Sequence, residues 1–253
     1  AQSDGAKPLP ATQYFARLGQ RYINAITALT QEGSLYEVDM RLRPSGNSGP
    51  IATTLTAFEK YHASSAWTWE HMALTRARVV VAPKPFAITV GNAIQQALTV
   101  PRDPDTLRTD VANMRRRLAK EKPADGTWSL KQMRGGMVDI EFIAQYLQLK
   151  HAHTHPHILH FNTAQALHNL CDAHLLDAKD GHTLIETLQL WQGLQGMLSL
   201  TVEEEMTQAR EAEMSAALKA DLVAIASEPD FPRLEARVKE DAERVYAIYQ
   251  TII

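Results

Sequence analysis

Residues 35–49 read LYEVDMRLRPSGNSG, and the reading of this stretch decides the architecture of the first part of the chain. From Leu35 to Leu42 the side chains alternate. Tyr36, Val38, Met40 and Leu42 fall on one face; Glu37, Asp39 and Arg41 fall on the other. That two-residue period predicts a β-strand with one apolar and one charged face. Pro44 to Pro50, rich in Ser, Gly and Asn, predicts the loop that ends it. This is the only clear strand signal in the sequence. One strand makes no sheet, so its pairing neighbours are expected to lie outside these 253 residues.

The charged face has two readings. A carboxylate set between arginines suits a site that holds a divalent cation and an anionic substrate together. Mg²⁺ takes carboxylate oxygen and keeps phosphate and water as further ligands, and arginine forks match phosphate oxygens. The same residues also make a solvated strand face with Glu–Arg cross-strand pairs.

Outward from this stretch the pattern is helical. Residues 1–11 (AQSDGAKPLPA) read as a loop. Phe15, Leu18, Ile23, Ile26 and Leu29 share one helical face, with Thr12 as its expected cap and Gly33 beyond its end. Leu55, Phe58 and Tyr61 open a second helix; Trp69 and Met72 mark a third; Phe86, Val90, Ile94 and Ala97 mark a fourth. Pro101 and Pro104 punctuate a boundary, which divides the chain into domains 1–100 and 101–253. Beyond it, Leu107, Val111, Met114 and Leu118 step at helical spacing, as do Ile140, Ile143 and Leu147. Leu184, Leu188 and Trp191 follow, and then Leu234, Val238, Val245 and Ile248. Helices joined by short loops predict a bundle.

Composition removes several classes. With 45% hydrophobic and 22% charged residues the chain is an ordinary globular sequence. A single cysteine, Cys171, excludes a disulfide framework and CxxC zinc sites, and makes a reducing, cytoplasmic setting the expectation. No apolar run approaches ~20 residues, so no membrane span is expected. Charge is uneven: residues 1–100 hold nine basic and six acidic side chains, and residues 101–253 hold 17 and 23. Neither balance is basic enough to point to nucleic acid. The chain begins at Ala1 without Met, in a polar stretch, and reads as a piece of something longer.

Three segments carry a resemblance. YEVDMRLRPSGNSG at 36–49, AWTWEHMALTRARVV at 66–80 and RGGMVDIEFIAQYL at 134–147 together resemble the bacterial glutamine synthetase adenylyltransferases, with NTAQAL at Asn162–Leu167 collinear. These are bifunctional enzymes of two similar halves, each a nucleotidyltransferase domain followed by a helical bundle. The form VDMRLRPSG with Trp67-Thr68-Trp69-Glu70-His71 is similar to the C-terminal, adenylylating half. The PII uridylyltransferases, a related family, match these stretches less well. The resemblance implies a mainly α chain: a truncated α+β nucleotidyltransferase domain followed by a helical bundle.

It also implies a reaction. AMP passes from ATP to a tyrosine of glutamine synthetase, regulating nitrogen assimilation, with Mg²⁺ as cofactor and glutamine synthetase and the PII signalling protein as partners. Three acidic residues supply the family's site. Asp39 matches the third, as catalytic residue and metal ligand, with Arg41 and Arg43 holding phosphate oxygens. The first two come from a GxSD…DxD pattern that these residues lack. The isolated chain is therefore expected to be inactive. The alternative is a non-catalytic docking or regulatory module that binds glutamine synthetase or PII.

Four further features stand out. Gly135 and Gly136 permit a tight helix entry, and Asp139 and Glu141 sit in its first turn, facing apart; an interdomain or structural contact with Arg76 or Arg78 is expected of them. His151, His153, His155, His157 and His160 crowd together, but around Pro156 their spacing suits a loop rather than a helical zinc site. Trp67 and Trp69 read as core. Arg115-Arg116-Arg117 and Glu203-Glu204-Glu205 read as solvated surface runs.

Overall fold

Helix-start signals in the sequence translate directly into caps. Asp103, Asn162, Asp177, Ser215 and Asp230 each turn a side-chain oxygen onto a backbone N–H of the first turn they precede. Pro104 occupies the opening position of its helix, where a missing N–H costs nothing. The computed structural model describes residues 8–33, 36–202 and 206–253, so the run Glu203–Glu205 and the strand's first residue, Leu35, lie outside the described residues. Regular structure is mainly α. β-pairing among the described residues is confined to isolated bridges such as Thr30 with Gly33. No described helix is long and apolar enough to cross a membrane.

The chain falls into two compact units. The first takes the residues up to Ala73 together with Val79–Ala97; the second takes Leu74–Arg78 together with Leu98–Ile253. The first carries α1 (Ala11–Thr27), α2 (Leu55–Ser64), α3 (Thr68–Leu74) and α4 (Lys84–Leu98), the last two running by a residue into the second. α1 starts one residue before Thr12. Pro10 stands at its cap with no side-chain bond, so Thr12 is a first-turn residue rather than the cap. α2 is capped as its sequence suggests, the Thr54 hydroxyl accepting the Ala57 N–H at 3.2 Å.

The strand expected at 35–42 does not form among the described residues: Tyr36–Met40 is irregular and the chain turns from Arg41. Alternation sorts side chains onto faces, but a strand backbone also needs N–H and C=O partners on a neighbour. Here those groups find local partners instead. The Tyr36 N–H reaches the Ile26 carbonyl at 3.1 Å, and the Arg43 N–H reaches that of Met40 at 3.4 Å. The α+β character expected of this part is thus absent from its described residues.

The second unit is the bundle: α5 (Pro104–Glu121), α6 (Met137–His151), α7 (Thr163–Asp172), α8 (Ala178–Thr201), α9 (Gln208–Glu211), α10 (Ala216–Ala226) and α11 (Phe231–Ile252). α6 is its axle and packs against α5, α7, α8 and α11. Ile140, Ile143 and Leu147 are buried as their spacing predicts, but so are Phe142, Tyr146 and Leu149 on other sides of the same helix. A helix wrapped on every side needs such residues all round.

Candidate functional site

The loop that follows α1 is built from short-range hydrogen bonds. Arg41 folds back on Asp39. Its Nε lies 3.0 and 2.9 Å from the two carboxylate oxygens, its Nη2 donates to Oδ2 at 2.6 Å, and its backbone N–H donates to Oδ1 at 2.9 Å. Hydrogen bonds from the Arg41 side chain, then from its backbone N–H, bring the Asp39 pKa down to about 2. Both side chains remain in water, 74% exposed for Arg41 and 54% for Asp39. Solvent screening weakens such a pair, so its partners are exchangeable. Glu37 is also exposed.

Arg43 behaves differently. It is half-buried, and its guanidinium donates to three main-chain carbonyls: Met40 at 2.6 Å, Gly49 at 3.1 Å and Asn47 at 3.4 Å. The chain between bends through left-handed conformations at Ser45 (φ 63°) and Gly46 (φ 53°) into a 3₁₀ turn, Gly46–Ser48. Gly49 closes the bend, because a Cβ there would run into the Pro44 carbonyl.

As a Mg²⁺ centre these residues do not suffice. Asp39 offers one carboxylate with both oxygens already on Arg41. No group of three His, Cys, Asp or Glu side chains able to hold a metal occurs among the described residues.

The second cluster lies in the bundle, around the turn Arg134-Gly135-Gly136. Gly135 adopts φ 72°, and a Cβ on it would meet the Ala242 carbonyl of α11; one on Gly136 would crowd the Leu130 carbonyl. This close approach lets the turn enter α6 between its neighbours. Asp139, 1% exposed, accepts the Gly135 N–H at 2.6 Å and the Arg115 Nε of α5 at 2.5 Å. Arg115 also reaches the Gln132 carbonyl at 3.2 Å, and the Trp191 indole of α8 donates to the Gly135 carbonyl at 3.2 Å. Burial first, and then the Asp139 charge, push the Tyr249 hydroxyl of α11 up to about 12. Four helices thus meet at one turn.

This places each acid of the motif. Asp139 meets Arg115, not Arg76 or Arg78. Glu141 points elsewhere and accepts the Arg76 Nη1 at 2.7 Å, with Arg76 in the segment Leu74–Arg78 that packs with the bundle. Arg115 corrects the solvated-run expectation: it is 6% exposed, while Arg116 and Arg117 are exposed. The signal was there, since Arg115 continues the apolar stripe of Leu107 and Val111 in steps of four.

Trp67 and Trp69 are also corrected. They are 71% and 41% exposed. The interior takes Glu70 instead, whose carboxylate accepts the Tyr61 hydroxyl at 2.7 Å and the Trp67 backbone N–H at 2.9 Å. Glu70 thereby closes the entry to α3, where an N–H would otherwise lack a partner. The imidazole of His71 lies 3.1 Å from the His62 carbonyl. In the histidine-rich segment the rings make local contacts: His153 with the Thr99 carbonyl, His155 with the Thr154 hydroxyl, and His160 stacked on Phe161.

Two stretches of the chain match known families. Residues 1–92 match the family described as Glutamate-ammonia ligase adenylyltransferase, and residues 109–253 match that described as GlnD PII-uridylyltransferase. Over 251 residues, 99% of the chain, it is 48% identical to a bifunctional glutamine synthetase adenylyltransferase/adenylyl-removing enzyme of Rhodopseudomonas palustris. Identity to the proteins of that name from Xanthobacter autotrophicus and Bradyrhizobium diazoefficiens is 45% over the same length. The chain spans 25% of the length of these relatives.

Proposed function

The chain belongs to the glutamine synthetase adenylyltransferase family, and from that premise we propose that it serves the C-terminal, adenylylating half of such an enzyme. In this reading the first unit is the back of an α+β nucleotidyltransferase domain and the second is its helical bundle. The parent enzyme transfers AMP from ATP to a tyrosine of glutamine synthetase in the cytoplasm. The observation that carries the reading is the 45–48% identity to enzymes of that name over 99% of the chain.

The loop chemistry supports it. Phosphoryl-type transfer asks a protein chiefly to position the substrate and neutralise its charge. Arg41 is an exposed fork held by an exchangeable partner, so an incoming phosphate competes for it and releases the Asp39 carboxylate toward the reacting groups. A Mg²⁺ site would need carboxylates beyond these residues, and the isolated chain is accordingly inactive in transfer. Two measurements test this. Asp39→Asn in the parent enzyme abolishes label transfer from α-labelled ATP to glutamine synthetase while the circular dichroism spectrum stays unchanged. The isolated chain transfers no label. Full turnover by the variant, or robust transfer by the chain alone, would sink the reading.

A second reading is favoured by the match of residues 109–253 to the PII-uridylyltransferase family. The same bundle then docks glutamine synthetase or PII as a regulatory module. Pull-down of each protein by the isolated chain separates this role from structural support.

A further inference from the structure

We infer that Arg43 is a positioning residue, which builds the loop presenting Asp39 and Arg41 and does not itself hold the phosphate of ATP. The inference rests on the adenylyl-transfer reading of this loop.

The two arginines look alike in sequence and differ in exposure and in partners. A guanidinium has five N–H donors in a fixed planar fork. Arg41 spends its fork on an exposed carboxylate that other anions can displace. Arg43 spends one nitrogen on each of three carbonyls, at Met40, Asn47 and Gly49. Met40 directly follows Asp39, and Asn47 and Gly49 lie on the far side of the bend. The side chain therefore ties the segment before the bend to the end of its own loop and fixes where residue 39 points.

The rest of the loop is shaped around this clasp. The Gly46 N–H donates to the Arg43 carbonyl at 2.8 Å, and the Gly49 N–H donates to that of Gly46 at 3.1 Å. Ser45 and Gly46 supply the left-handed bend, and Gly49 lets the chain pass the Pro44 carbonyl. If Arg43 turned to a phosphate, three carbonyls, those of Met40 and Gly49 partly enclosed, would lose their donors together. Lysine cannot take its place, since one ammonium on a flexible stem does not offer three carbonyls the separate nitrogens of a fixed fork.

The test uses the full-length parent enzyme, ATP and glutamine synthetase. Arg43→Gln and Arg43→Lys each lower kcat about 10-fold or more, as expected of a displaced reacting group, while KM for ATP stays within about 2-fold. Arg41→Gln raises KM for ATP, and Arg41→Lys partly restores it. Gly49→Ala opens the clasp from its other end without altering any charge, and reproduces the Arg43→Gln pattern. A raised KM for ATP in Arg43→Gln that Arg43→Lys restores overturns the inference in favour of a phosphate contact. Wild-type kinetics in either Arg43→Gln or Gly49→Ala also overturn it. Asp39→Asn is run alongside: if it keeps full activity, it is the adenylyl-transfer reading of the loop that has failed, whatever Arg43 does.

Discussion

Arg115 of α5 and Asp139 of α6 form an ion pair inside the bundle, 2.5 Å from Nε to Oδ1, with side chains 8% and 1% exposed. Removing the cation leaves a carboxylate in the interior that keeps the Gly135 N–H but has lost its counter-charge. Arg115→Met is therefore expected to cost about 3–5 kcal/mol of bundle stability, read from the urea midpoint. The Arg76–Glu141 pair provides the contrast, with side chains 51% and 27% exposed. Arg76→Gln should cost less than about 1 kcal/mol. Equal losses in the two variants would show that burial does not set the difference.

Two glycines test backbone conformation separately from packing. Gly135→Ala forces a side chain into the left-handed region and against the Ala242 carbonyl. Strain alone predicts a loss of about 1–3 kcal/mol, and the clash adds to it. Gly91 lies within α4 with open space where a Cβ would go. Gly91→Ala should stabilise its helix by about 1 kcal/mol. Thermal melts of the two variants should move in opposite directions.

Trp191→Phe keeps most of the ring volume and deletes the N–H that reaches the Gly135 carbonyl. A buried acceptor without its donor costs about 1–3 kcal/mol. The loss should appear in the bundle's denaturation curve, and faster amide exchange at 134–139 would place it at the turn. Unchanged exchange there would mean the indole bond contributes nothing to the entry of α6.

The first unit should respond to acid through His62. This side chain is 7% exposed, and its Nδ1 has no partner among the described residues. Burial, then the neighbouring His71, hold its pKa below the usual 6.5, against an opposing pull from Glu70. Tyr61 also faces the ring. The folded state thus keeps His62 neutral while the unfolded chain protonates near pH 6.5. Its contribution is whole above that pH and is lost as pH falls toward the folded pKa, by at most about 1.4 kcal/mol per pH unit. His62→Phe should flatten the decline in α2 amide protection between pH 7 and pH 5. An unaltered pH profile would assign the decline to other groups.

Helices were legible where local chemistry decides them. Leu107 and Val111, and Leu234, Val238, Val245 and Ile248, are buried as their helical spacing predicts, whereas the one cap expected, Thr12, falls a residue inside its helix. The strand expected at 35–42 is absent among the described residues, because alternation encodes a preference of side chains for faces, whereas strand formation depends on a partner that no local pattern contains. In the site, alternation set Asp39 and Arg41 on one strand face, whereas in this loop they meet by a two-residue fold-back. Arg43's grip on three carbonyls was invisible because main-chain acceptors leave no trace in residue identity. Arg115 was misjudged for a related reason: a guanidinium on an apolar stripe looks misplaced until its buried carboxylate, 24 residues away, is in view. Trp67 erred the other way, its backbone N–H being used and its ring left outside.

Because α6 has neighbours on all sides, it lacks a permissive face. An exhaustive substitution scan over residues 137–151 should show no 3.6-residue rhythm of tolerance, only near-uniform sensitivity from Val138 to Leu149, with Glu141 as the mild interval. Drift among related sequences is then expected to be least along α6. The axle would change more slowly than the helices around it.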